Sequence, residues 1–143
     1  MATKPINILL VEDDDLDVMN VQRAFKKNSI PHPLFVAPDG LAALEMLRGE
    51  GGAAPAYPQE RRLLLLDLNM PRMSGIEFLR ELRADPALRP TPVIVLTTSD
   101  EERDKVEAYD LNVAGYILKP VTLSSFIEMV ATLNSYWMLN ELP

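Results

Sequence analysis

The 143-residue chain contains no cysteine, which excludes disulfides, thiol nucleophiles and cysteine-ligated metal centres. Its single histidine, His32, lies between Pro31 and Pro33; it reads as a loop residue, neither a phosphohistidine carrier nor a zinc ligand. The strongly apolar runs are short. Ile8 to Val11 and Leu63 to Leu66 are four residues each, against the ~20 that a membrane span needs. They are also too short for the apolar region of a signal peptide, so the expectation is a cytoplasmic chain, neither membrane-bound nor exported. Positive charge is in the minority: 14 Lys and Arg against 21 Asp and Glu leave a formal charge of −7. Nucleic-acid binding usually shows a basic patch or stripe, so no nucleic-acid partner is expected. What is present is ordinary globular composition, 48% apolar and 24% charged, in a length near the ~150 residues of one domain. Residues 1–143 therefore read as a single domain.

Two kinds of segment alternate along it. Ile6 to Val11, Leu34 to Ala37, Leu63 to Leu66, Val93 to Leu96 and Tyr116 to Leu118 are apolar at nearly every position. Runs without polar alternation mark strands covered on both faces, as in a parallel sheet. Between them lie helical patterns. Val18, Val21 and Phe25 share one face of the first helix, Leu41, Leu44 and Leu47 of the second, and Phe78, Leu79 and Leu82 of the third. Ser74 with Glu77, and Ser99 with Glu102, have capping-box spacing at the starts of the third and fourth. The fourth has a thinner face, Val106, Tyr109 and Val113. The fifth, at about 123–139, aligns Phe126, Val130, Leu133 and Trp137. Five strands alternating with five helices predict a doubly wound α/β domain. Residues 49–62, rich in Gly and Pro, read as a surface loop.

In such sheets ligands bind beyond the carboxyl ends of the strands, so the residues leaving each strand carry the chemistry. The first strand ends in Glu12-Asp13-Asp14-Asp15, the third in Asp67, the fourth in Thr97-Thr98-Ser99 and the fifth in Lys119-Pro120. Two carboxylates about 4 Å apart repel by roughly 1 kcal/mol in water and ~4 kcal/mol at an effective dielectric of 20. Glu12, Asp13 and Asp67 on one edge therefore call for a cation. Oxygen-only ligation suits Mg²⁺, and Lys119 supplies a point charge for a small anion such as a phosphoryl group.

These residues resemble the receiver domain of two-component response regulators. The resemblance rests on Leu9-Leu10-Val11-Glu12-Asp13-Asp14, on Leu64 to Gly75 through Asp67-Leu68-Asn69-Met70-Pro71, on Pro92 to Thr97, and on Gly115-Tyr116-Ile117-Leu118-Lys119-Pro120. Four motifs in the right order, at the right strand ends, span almost the whole chain. The resemblance implies a CheY-like (flavodoxin-like) strand order of 2-1-3-4-5 with five helices. Asp67 is then the phospho-acceptor, charged by a sensor histidine kinase and discharged by self-catalysed chemistry, so the chain is a signalling protein rather than an enzyme. Asp13, Asp67 and the Asn69 backbone carbonyl would ligate Mg²⁺, with Glu12 acting through water. Lys119, Thr97 and the Thr98 amide would hold the phosphoryl oxygens, Thr97 and Tyr116 would form the switch, and Lys119–Pro120 would be cis. Thr97-Thr98-Ser99-Asp100, Leu111 to Tyr116 and the long last helix look like regulators paired with bacterial phytochromes. No output domain is expected after the fifth helix.

Plainer readings stand beside these. Asp14, Asp15 and Asp17 suit the first turn of a helix, where the dipole favours acids by roughly 0.3–1 kcal/mol each. An EF-hand fails, because from Asp13 the sixth position is Val18 and the twelfth Ala24. A haloacid-dehalogenase-like phosphatase needs a second acid two residues after the first, where Asn69 stands. A pseudo-receiver binding module would normally lack one of Asp13, Asp67 or Lys119. Finally, Met129, Tyr136, Met138, Leu139 and Leu142 lie partly off the main stripe of the last helix. They suggest a homodimer through the fourth and fifth helices.

Overall fold

The computed structural model describes residues 5–49, 57–70, 73–98, 104, 106–107 and 110–137. Five strands, β1 (Asn7–Val11), β2 (Leu34–Ala37), β3 (Arg62–Asp67), β4 (Val93–Thr97) and β5 (Gly115–Leu118), form one parallel sheet in the order β2-β1-β3-β4-β5. The helices are α1 (Asp15–Lys27), α2 (Gly40–Arg48), α3 (Gly75–Ala84) and α4 (Leu123–Trp137). Helical backbone at Asp104, Val106 and Glu107 marks the expected helix between β4 and β5. Its proposed cap, Ser99 with Glu102, and Tyr109 lie outside the described residues, as do residues 50–56 and the tail from Met138. Four helices are thus described in full against five expected, in the same fold.

Alternate strand residues feed two apolar layers. Leu9, Val11, Leu64, Leu66, Val93 and Val95 pack against α2, α3 and Val106. Ile8, Leu10, Leu63, Leu65, Ile94 and Leu96 pack against α1 and α4. Each such side chain taken from water contributes roughly 1.5–3 kcal/mol. That is why β1, β3 and β4 are buried at every position, whereas β2 and β5, at the sheet edges, are only partly covered.

Four local expectations change. Leu41 is exposed, because the inner face of α2 is formed by Gly40, Ala43, Leu44 and Leu47; steps of three from Leu41 drift off a 3.6-residue stripe. Met129 is buried against Phe126, Val130 and Leu133 rather than left on the surface. The described end of the 49–62 loop is anchored: Tyr57 is buried, its hydroxyl donates to the Asn7 carbonyl at 2.6 Å, and the Arg62 guanidinium sits 4.8 Å over its ring. Lys119–Pro120 is also trans, not cis, the isomer favoured for X–Pro bonds by about 0.5–1 kcal/mol.

Candidate functional site

The sheet register aligns the strand ends. Val11 pairs with Leu66, Asp67 with Leu96, and Thr97 with Leu118. The residues at or just past those positions, Glu12, Asp67, Thr97 and Lys119, therefore fall in a row along the carboxyl edge. The Lys119 backbone N–H donates to the Thr97 carbonyl at 2.9 Å, carrying the β4–β5 ladder one residue further. On the opposite side, the Glu12 N–H donates to Ala37 at 3.0 Å.

Glu12 and Asp67 are buried, Asp13 is exposed, and one carboxylate oxygen from each lies within 4.8 Å of the others. The Lys119 ammonium enters this group from β5. Its Nζ is 2.8 Å from Glu12 Oε1, 3.2 Å from Asp67 Oδ2 and 2.8 Å from Asp17 Oδ2. One cation thus faces three acids directly, with Asp13 beside them. Burial, a hydrogen bond with Asp67 and the Asp67 charge together push the Glu12 carboxyl up to about 8, against the smaller pull of Lys119. Burial alone would lower the Lys119 pKa. Hydrogen bonds to Asp17 and Glu12 and the charges of Asp67 and Glu12 outweigh it and hold the ammonium above its ordinary value.

The loops carry the remaining groups. The Asn69 N–H donates to Asp67 Oδ1 at 3.2 Å, fixing one acceptor oxygen while Lys119 holds the other. Asn69 Nδ2 donates to Thr98 Oγ1 at 3.5 Å, linking the loops after β3 and β4. Thr97 is buried at the end of β4, and Thr98 is exposed. Tyr116 is half-buried and packs against the α2–α3 layer. Ser99 lies outside the described residues.

All the carboxylates read from the sequence as ligands come together, and so does Lys119. Asp17 departs from its plain reading. Asp14 caps α1, accepting from the Asp17 N–H at 3.0 Å, and Asp15 is exposed in the first turn, as helix-dipole acids should be. The Asp17 carboxylate instead reaches Lys119. The available signal was its place in the first turn of the helix that directly follows Glu12 and Asp13. Gly75 was also passed over. A Cβ there would lie 2.5 Å from Leu68 Cα and 2.9 Å from the Asp67 carbonyl oxygen, so only glycine lets α3 close on the acceptor loop.

The donor set fits a hard divalent cation. It is all oxygen, crowded and partly buried, and burial together with the neighbouring Asp67 pushes the Glu12 carboxyl up.

Comparison with known proteins identifies the family. The family model for the response regulator receiver domain matches residues 8–131. The chain is 40% identical over 139 residues to response regulator Rcp1 of Synechocystis sp., covering 96% of this chain and 92% of that one. A crystal structure of the phosphorylated cyanobacterial phytochrome response regulator RcpA superposes with a TM-score of 0.82 at 38% identity, covering 98% and 99% of the two chains. The Mn²⁺-bound form of Rcp1 gives 0.79 at 40% identity, covering 97% and 99%.

Proposed function

The chain belongs to the response regulator receiver domain family, and we propose that Asp67 is its phospho-acceptor, in a Mg²⁺-dependent reaction with a sensor histidine kinase. One observation carries this reading. The buried Asp67 carboxylate, at the end of β3, has a lysine ammonium 3.2 Å from one oxygen and a backbone N–H 3.2 Å from the other, with Glu12 and Asp13 beside it.

In the reaction an Asp67 oxygen attacks the phosphorus of a phosphohistidine. The new P–O bond forms as the P–N bond breaks, and the electron pair returns to the imidazole nitrogen, which takes up a proton. Phosphoryl transfer needs positioning and charge neutralisation more than acid–base chemistry. A Mg²⁺ ion held by Asp13, Asp67 and the Asn69 carbonyl, with Glu12 through water, would neutralise charge on the transferring oxygens. Lys119 turns from Glu12 and Asp67 to a phosphoryl oxygen. Thr97, buried at the end of β4, offers its hydroxyl to another, with the Thr98 amide assisting. The movement of Thr97 would open space for the Tyr116 ring, half-buried two residues into β5. Hydrolysis of the acyl phosphate by the same groups resets the protein.

The Mn²⁺-bound form of Rcp1 supports a divalent ion in this class of site. The likeness to RcpA, a cyanobacterial phytochrome response regulator, supports a phytochrome-type kinase as partner. No helix among the described residues is long and apolar enough to cross a membrane, and the cytoplasm is where such a kinase domain would meet this chain. The proposal includes residues 1–143 working as one receiver unit, and a homodimer at the end of the sheet bearing β5, through the helix before β5 and α4.

The test is an intact mass after incubation with acetyl phosphate and Mg²⁺. The native protein is expected to gain one phosphoryl group, and Asp67→Ala none. An adduct that persists in Asp67→Ala sinks the assignment.

A further inference from the structure

Three carboxylates hold the Lys119 ammonium, and the proposed reaction accounts for only two. Glu12 and Asp67 belong to the metal and acceptor group, and both must release the lysine when a cation and a phosphoryl group arrive. Asp17 is different. It sits on the first turn of α1, outside the cluster formed by Glu12, Asp13 and Asp67, and its Oδ2 lies 2.8 Å from Nζ. An ammonium has three N–H donors. One can stay on Asp17 while the other two change partners.

We propose that Asp17 is a positioning residue that keeps the Lys119 ammonium over Asp67 while Glu12 and Asp67 turn to the cation and the phosphoryl group; this rests on the reading of Asp67 as acceptor. The geometry favours such an anchor. The Asp17 backbone N–H is fixed by the Asp14 cap at 3.0 Å, so the carboxylate starts from a rigid point. Its side chain is only 20% exposed and that of Lys119 14%, so solvent screens the pair weakly. Lys119 itself stands just past a short edge strand, and a four-carbon side chain loses much rotamer freedom when held in one place. With Asp17 in place, that ordering is complete before the donor arrives.

The test compares wild type with Asp17→Asn, Asp17→Glu and Asp15→Asn. The last removes the same charge from the same helix turn at an exposed position. Two readouts are taken. The first is the initial rate of phosphoryl uptake from acetyl phosphate by intact mass, alongside Mg²⁺ affinity by calorimetry. Loss of a hydrogen bond between charged groups predicts a fall of about ten-fold in the maximal rate for Asp17→Asn. The Mg²⁺ affinity should be unchanged, Asp17→Glu should recover part of the rate, and Asp15→Asn should match wild type. The second readout does not depend on phosphorylation: the Lys119 NH₃⁺ resonance in ¹H–¹⁵N spectra. It is expected to persist with and without Mg²⁺ in wild type and Asp15→Asn, and to vanish by solvent exchange in Asp17→Asn. An unchanged NH₃⁺ signal in Asp17→Asn overturns the anchor, even in a protein that takes up no phosphoryl group. An unchanged or faster rate, or a rate loss matched by lost Mg²⁺ affinity, overturns it as well. Failure of the acceptor reading would appear separately, as uptake that survives in Asp67→Ala.

Discussion

His32 holds the approach to β1. Its Nδ1 accepts the Ile6 N–H at 3.0 Å in a buried setting, where burial, assisted by the Arg61 charge, keeps its pKa below 6.5. The folded chain therefore resists a proton that the unfolded chain accepts. Stability from this group is complete above pH 6.5 and is lost as pH falls from there toward the folded value. The limiting slope for one proton is about 1.4 kcal/mol per pH unit. Glu12 works in the opposite sense. Its carboxyl, pushed up to about 8, costs stability as pH rises between its ordinary range and that value. Urea unfolding of wild type and His32→Gln at pH 7.5, 6.5 and 5.5 separates the two, since both proteins carry Glu12. The stability advantage of wild type should shrink as pH falls, and a constant difference would remove the histidine from the account. Read from the sequence, His32 was a loop residue, and it is one. Its burial was not legible, because nothing in Pro31-His32-Pro33 shows that the imidazole meets the backbone just before β1.

At the scale of elements, the strand ends were legible and the helix faces less so. A strand buried on both sides must be apolar throughout, so any charged residue closing such a run stands out, as Asp67 does after Leu63 to Leu66. Helix phase depends on a few degrees per residue, so Leu41 was misplaced by one step and Met129 by its neighbours. Contacts that join elements left still less trace. Arg83, at the end of α3, donates to the carbonyls of Arg89, Thr91, Leu111 and Asn112 at 2.8 Å each, tying the approach to β4 to the approach to β5. Gly75 belongs to the same class. Its N–H donates to Leu68 at 3.0 Å, and the atoms a Cβ would meet include backbone atoms of Leu68 and Asp67, which cannot swing aside as a side chain can. Gly75→Ala must therefore displace the start of α3 or the loop carrying Asn69. Overpacking of this kind costs about 1–3 kcal/mol. The expected result is that loss in urea unfolding, together with slower phosphoryl uptake from acetyl phosphate. A variant with native stability and native rate would show that the loop yields freely.

For the whole molecule, the −7 charge resolves into a local feature. Five of the 21 acids fall between Glu12 and Asp17, and Asp67 joins them across the sheet, so the acidity gathers at one edge rather than covering the surface. The opposite property collects at β5. Among the described residues this edge strand pairs only with β4 and leaves Leu118 76% exposed, with Val121 91% and Leu123 37% exposed in the residues that follow. Between β5 and α4 lies an open groove of about 510 Å³, lined by Leu118, Pro120, Val121, Met129 and Leu133 among others. The sequence suggests a dimer through the fourth and fifth helices, from apolar residues off the main stripe of the last one. Of those, Met129 is buried and the rest lie outside the described side chains; among the described residues, the exposed apolar side chains nearest that helix are Leu118, on β5, and Val121 and Leu123 after it, while Leu16, Met19 and Leu41 stand exposed on α1 and α2. Contiguous apolar surface of this kind marks an association face. A second copy would bring the same strip against itself about a two-fold axis, and a stable interface needs about 800 Å² from each partner. Val121→Asp places a charge at the centre of that strip, where desolvating it costs more than the lost apolar contact. Sedimentation velocity across a concentration series should show wild type dimerising and Val121→Asp remaining monomeric, while Leu16→Asp, at an exposed position of α1, behaves as wild type. Because Lys119 stands between Leu118 and Val121, association at this strip would also constrain the lysine that faces Asp67. Phosphorylation should then shift the dimerisation constant of wild type. A wild-type monomer at every concentration, phosphorylated or not, would rule out this face as a self-association surface.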